Sequence, residues 1–227
     1  MDNEEFNLSE IDNVGRLPLS EQVYGILKRA IINGVLKPDV KLNEVKIAEQ
    51  LSVSATPVRE AFRKLAVDGL VVIVPWKGVR VKSYCESDIA EMYQIREVVE
   101  GLGARLATEL MDDSTKSELR DIYDQAVKSK DSQDVVELNS LFHLIIIEAA
   151  KNKRIADFIN EFKEMINRDM FLTSYDEERM RKCQKEHFEI LEAIFENNPN
   201  KAEEKMRQHI RNAFNYKKIR NTIIPNR

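Results

Sequence analysis

The chain has 227 residues, 43% of them hydrophobic and 33% charged, enough to bury one sizeable core or two smaller ones. With only 7 Gly and 7% aromatics it favours helices, and its two cysteines exclude a disulfide framework. A net charge of −4 argues against a uniformly basic nucleic-acid binder, and no apolar run approaches the roughly 20 residues of a membrane helix.

The charge is unevenly placed. Residues 1–15 carry five acids and no base, residues 16–82 carry 12 Lys/Arg against 6 Asp/Glu, and residues 83–227 carry 23 against 28. This divides the chain into an acidic tail (1–15), a basic domain (16–82), an acidic domain (83–220) and a short tail (221–227), so the two domains are expected to have different partners. The opening MDNEEFNLSE lacks the pattern of a secretory signal, and the expectation is a cytoplasmic protein that does not engage a membrane.

From 20 to 33 the spacing of Val23, Ile26, Leu27, Ala30 and Ile31 predicts an amphipathic helix, ended by Gly34. A loop and a second short helix follow, with Ile47, Ala48 and Leu51 inward. In SVSATPVREAFRKLAVDGL, Thr56 reads as an N-cap and Pro57 as the first helical residue. Val58, Ala61, Phe62 and Leu65 form the buried stripe, Arg59 and Arg63 point elsewhere, and Gly69 closes the helix. LVVIVPWKGVRVKSY then reads as two strands around Lys77–Gly78, a hairpin with a basic tip.

Three short helices and a basic hairpin describe a winged helix-turn-helix, whose last helix enters the major groove of double-stranded DNA with its N-terminal end. Thr56 and the free amides of that first turn suit phosphates, and Arg59 can reach a guanine edge in bidentate fashion.

From SDIAEM onward the periodicity predicts six helices, at about 87–110, 114–129, 132–151, 153–174, 177–197 and 200–220, joined by short connections. The fold class is therefore mainly α, a winged helix-turn-helix followed by an all-helical antiparallel bundle. All three histidines lie in the bundle. His143 shares a face with Asn139, four residues earlier in the apolar run LNSLFHLIII. His187 precedes the inward stripe Ile190, Leu191 and Ile194, and His209 sits between Met206 and Ile210. Each alone reads more readily as a hydrogen-bonded core histidine than as a ligand. Three facing inward from three helices are also how bundles build metal sites, three nitrogens and one oxygen being a usable ligand set. Arg96 lies on the stripe of Met92, Val99, Gly103 and Leu106 and needs an anion there. Glu100, one turn on, and a bound carboxylate effector are equal candidates. The charge run YDEERMRKCQKE (175–186) reads as a solvated helix start.

The segment LKPDVKLNEVKIAEQLSVSATPVREAFRKLAVDGLVVIVPWKGVRV resembles the DNA-binding domain of the GntR family of bacterial transcription regulators over residues 17–82. The resemblance implies DNA contacts at Lys46, Ser54, Thr56 and Arg59, with Gly78 the wing glycine. Asp39 stands where the family usually has the glycine of PG, a change the loop is expected to tolerate, and Ala55 stands where many members have an arginine. The pattern NSLFH, EHFEILEAI and MRQHI is similar to the FCD-type ligand-binding domain of the FadR branch, over about 85–220. It implies that His143, His187 and His209 ligate a divalent metal ion, zinc or nickel, with Asn139 in the usual aspartate position. Asparagine keeps an oxygen there but not the negative charge.

The expectation is thus a homodimeric transcription regulator, a repressor in the family's commoner mode, that binds operator DNA and is controlled by a small carboxylate effector at the metal and Arg96. Two alternatives stand beside it: a metal sensor in which the ion is the signal, and a helical-bundle metal-dependent hydrolase. The hydrolase would need a general base, and Glu186 lies about a hundred degrees around the helix from His187.

Overall fold

A computed structural model describes the backbone of residues 17–173 and 176–223, and their side chains except at 132, 133, 168–173 and 219–223. The acidic tail 1–15 and residues 224–227 of the C-terminal tail lie outside the described residues. The chain forms two compact units, the first running to Tyr84 and including the short segment Glu164–Arg168, the second holding the rest from Cys85.

The first unit comprises α1 (Leu19–Ile32), β1 (Lys41–Leu42), α2 (Glu44–Gln50), α3 (Ala55–Val67), β2 (Val71–Val74) and β3 (Gly78–Val81). The five apolar residues of the α1 stripe are buried, as are Ile47, Ala48 and Leu51 after α2 begins, and Val58, Ala61, Phe62 and Leu65 on α3. They form one core with Leu36, Leu42, Val79 and Val81. Two details differ from the sequence reading. α3 begins two residues early, with Ser54 as its N-cap and Pro57 its third residue. The first four amides of a helix have no intrahelical partner, so proline is tolerated anywhere in that turn and does not mark its start. The sheet also has a third strand, in the order β1-β3-β2, because Lys41–Leu42 pairs with Val79–Arg80.

The loop before β1 turns on Asp39, whose φ of 63° is left-handed. Aspartate enters that region more readily than most residues. Here its carboxylate accepts the Ser83 hydroxyl at 2.8 Å and its carbonyl accepts Arg80 Nη1 at 2.8 Å. The aspartate side chain thus adds one hydrogen bond, from Ser83, that a glycine at this position would lack. At the hairpin tip Gly78 opens β3 with φ 92°, a conformation that suits glycine, while Trp76 is fully exposed with φ 64°.

The second unit is helical: α4 (Glu86–Leu110), α5 (Asp113–Lys128), α6 (Ser132–Ala149), α7 (Lys153–Thr173), α8 (Glu177–Phe195) and α9 (Pro199–Ile223). α9 runs three residues past the expected end. α4 packs on α6, α8 and α9, and α8 on α9 and α5. Two glycines let α4 sit close: a Cβ at Gly101 would lie 2.6 Å from Arg207 Cγ of α9, and one at Gly103 would lie 2.7 Å from Ile147 Cδ1 of α6. None of residues 138–147 of α6 is exposed, which accounts for the apolar run. Among the described residues no helix is long and apolar enough to cross a membrane.

Candidate nucleic-acid interface and candidate metal centre

Lys46, Ser54, Thr56, Arg59, Arg63, Lys77 and Gly78 all occupy exposed positions of the first unit. Thr56, Arg59 and Arg63 succeed one another by three and four residues, so they share a face of α3 opposite its buried stripe. Arg59 is engaged: its Nη2 lies 2.5 Å from Glu44 Oε1 and its Nε 3.2 Å from Oε2, a two-pronged pair with the first residue of α2. That partner was not foreseen. An exposed pair of this kind is screened by salt and contributes little, so a guanine edge or phosphate can displace Glu44 readily.

In the second unit the three histidines meet. His143 Nε2 is 3.2 Å from His187 Nε2, which is 3.3 Å from His209 Nε2, and the three ligand atoms lie within 4.8 Å of one another. His143 comes from α6, His187 from α8 and His209 from α9, and all are buried. Asn139, one turn before His143, is buried with its Oδ1 lacking any hydrogen-bond partner. Asn139, His143 and His209 line a cavity of about 60 Å³ together with Tyr93, Arg96 and Arg179.

Two carboxylates stand behind the rings. His143 Nδ1 donates to Glu100 Oε2 at 2.7 Å, and His209 Nδ1 donates to Glu186 Oε2 at 2.7 Å. Each carboxylate fixes the tautomer of its ring, so the Nε2 atoms of His143 and His209 are bare acceptors aimed at His187. His187 Nε2 can offer a proton to one of them at most. Burial pushes His187 well below the ordinary histidine range, and the neighbouring His209 and His143 push it the same way. His209 is lowered likewise, by burial first and then by His143 and Arg179.

Convergent lone pairs and an orphaned amide oxygen fit a cation. Zinc with nitrogen ligands at about 2.0 Å in tetrahedral array sets N···N edges of about 3.3 Å, close to the two spacings given above. An imidazole and oxygen donor set suits zinc or nickel rather than magnesium or calcium.

Arg96 is 3% exposed and its Nε lies 2.6 Å from Glu100 Oε1, so the glutamate weighed as its partner is its partner. Burial alone would raise the Glu100 carboxyl, but the Arg96 charge and His143 override it and hold it well below the usual carboxylate range. Val99 and Leu106, placed with Arg96 on one stripe, are only half-buried. The run 175–186 is a helix start with Glu177, Glu178, Arg181, Lys182 and Lys185 exposed, as expected. Arg179 is an exception: it is buried, pairs with Glu186 at 3.1 Å and lines the cavity. Its signal was spacing, since Arg179, Cys183 and Glu186 or His187 fall on one helical stripe. Cys183 lines the cavity too, its Sγ 3.8 Å from His187 Nε2, and burial pushes its thiol up to about 12. Glu186 is engaged by His209, Arg179 and Asn212.

Residues 19–81 match the profile of bacterial regulatory proteins of the gntR family, and residues 91–212 match the FCD domain. The chain is 28% identical over 203 residues to the HTH-type transcriptional regulator YdhC of Bacillus subtilis (strain 168), covering 88% of this chain and 89% of that protein. It is 28% identical over 196 residues to the HTH-type transcriptional repressor RspR of Escherichia coli (strain K12), covering 85% and 86%. The fold matches a GntR transcriptional regulator from Rhodococcus sp. RHA1 with a TM-score of 0.71 at 27% identity, covering 87% and 96%. E. coli McbR/YncC matches with a TM-score of 0.72 at 22% identity, covering 89% and 99%, a likeness of fold alone.

Proposed function

Since the chain belongs to the GntR family of bacterial regulatory proteins and carries an FCD domain, we propose that it is a homodimeric repressor whose hold on operator DNA is set by a small organic acid bound beside a metal ion in the bundle. It is a DNA-binding transcriptional regulator and not an enzyme. It acts in the cytoplasm, where its operator lies.

On DNA, Thr56 and the first-turn amides of α3 hold phosphates, Arg59 exchanges Glu44 for a guanine edge, and Lys46, Ser54, Arg63 and Lys77 add backbone contacts. Gly78 lets the wing backbone approach closely. Dimerisation is supported by Ile95, Val98 and Leu102, an exposed apolar stripe on α4 facing away from the histidines. Such a stripe suits the same stripe of a second copy, and two-fold symmetry then calls for two half-sites.

In the bundle His143, His187 and His209 hold the ion, with the Asn139 oxygen beside them. The ion would supply a positive centre for one carboxylate oxygen of the effector. Glu100 and Glu186 keep the His143 and His209 rings oriented, and Arg96 and Arg179 bring positive charge to the cavity wall. A cavity of about 60 Å³ has room for a handful of waters or an acid of a few carbon atoms. The acid acts only through a difference in affinity between DNA-competent and incompetent states.

The observation that carries this reading is the convergence of three buried Nε2 atoms next to an unpartnered Asn139 oxygen. Elemental analysis of protein purified without added metal tests it, beside the His143→Ala/His187→Ala double variant. Metal in the wild type and none in the variant is expected; equal content in both removes the site. The small cavity also favours a second reading, in which the ion itself is the signal. Titrating DNA binding with zinc alone, then with small carboxylates, separates the two.

A further inference from the structure

Two helices present their polar side chains to the cluster in the same way. α6 offers Asn139 and His143, and α8 offers Cys183 and His187, each pair four residues apart and so stacked on one helical face. Asn139, His143, Cys183 and His209 line one cavity, and the fourth of the stacked residues, His187, has its Nε2 3.8 Å from Cys183 Sγ. We propose that the Cys183 sulfur, as a thiolate, is a further ligand of the ion held by His143, His187 and His209. The inference rests on the histidine cluster being a metal site.

Charge is the first reason. Asn139 is neutral, and the two nearby carboxylates are already matched, Glu100 by Arg96 and Glu186 by Arg179. A divalent cation would therefore sit among neutral ligands with two guanidinium groups near by. A thiolate supplies the missing negative charge inside the ligand set. Distance is the second. A four-coordinate ion with sulfur at about 2.3 Å and nitrogen at about 2.0 Å sets S···N edges of about 3.5 Å. Sγ stands 3.8 Å from His187 Nε2, and a turn of the Cys183 side chain would bring it toward the other two nitrogens. The ion can take the effector's oxygen as a fifth ligand. The buried Asn139 oxygen, which lines the same cavity without a hydrogen-bond partner, is an independent observation that suits a cation there. On binding, the thiol proton leaves to solvent and the sulfur lone pair goes to the ion, with no change of oxidation state. A sulfur and imidazole set selects zinc or cobalt(II) over magnesium, calcium or manganese.

The test is titration of the chelator-stripped full chain with cobalt(II), followed by absorbance. Wild type and Cys85→Ser should both show cobalt d–d bands and a near-ultraviolet thiolate-to-cobalt charge-transfer band. Cys183→Ser should lose the charge-transfer band and bind cobalt at least about tenfold more weakly. The wild-type charge-transfer band is itself a readout that needs no variant to fold, and its persistence in Cys85→Ser assigns it away from the exposed Cys85. Cobalt bound without a charge-transfer band, or a band that survives in Cys183→Ser, removes the sulfur while leaving the histidine site intact. No cobalt uptake by the wild type overturns both.

Discussion

In the first unit every residue assigned to DNA, from Lys46 to Gly78, is exposed, whereas in the second Arg96, Glu100, Asn139 and all three histidines are buried. The exposed set is held in place by a core it does not belong to, so its side chains are free to be chosen for DNA alone. The buried set must satisfy one another as well as any ligand, because an unmatched charge or polar atom away from water is expensive. Function and stability are therefore separable in the winged domain and joined in the bundle.

The sharpest way to break that contrast is Glu100→Gln, which leaves Arg96 buried beside a neutral group. A loss of about 3–5 kcal/mol in urea-monitored stability is expected, and a loss under about 1 kcal/mol would show that the bundle does not depend on the pair. Arg59→Ala should do the opposite. Operator affinity falls on the order of 10- to 100-fold in a gel shift while the melting temperature holds. Unchanged affinity would overturn the recognition-helix assignment.

Glu186→Gln sharpens the comparison from the metal's side. Removing the carboxylate behind His209 should weaken metal binding about 10- to 100-fold in a chelator competition, and a smaller change would mean that His209 needs no orienting partner. Lys77→Ala should have the smallest effect. It weakens binding to all duplexes alike and lowers the slope of log affinity against log salt by about 1. A change confined to one sequence would instead place Lys77 on a base.

The same contrast explains what could be read from the sequence. Periodicity located the helices because apolar spacing is a local property, and it missed β1 because two residues cannot alternate. Capping chemistry misplaced the start of α3 because Pro57 fits several positions of a first turn. In the bundle His143, His187 and His209 were legible as inward-facing residues, but the carboxylates behind them were not. Glu186 lies away from His187 on its own helix, so spacing gives it no role beside that residue. It reaches a histidine of α9 instead, a relation between helices that spacing along one helix cannot express. Arg179 was hidden by its charged neighbours, although its stripe-mates Cys183 and His187 marked the face.

The wing-tip residue Trp76 has a practical consequence. It is the chain's single tryptophan and fully exposed, so the protein's indole emission originates at the point of the hairpin alone. Emission excited at the red edge of absorption will follow what touches that tip and stay silent about the helices that hold the histidines. One spectrum can thus report the winged domain while absorbance of a bound cobalt ion reports the bundle, so the two units of one chain can be watched at the same time without attaching a label.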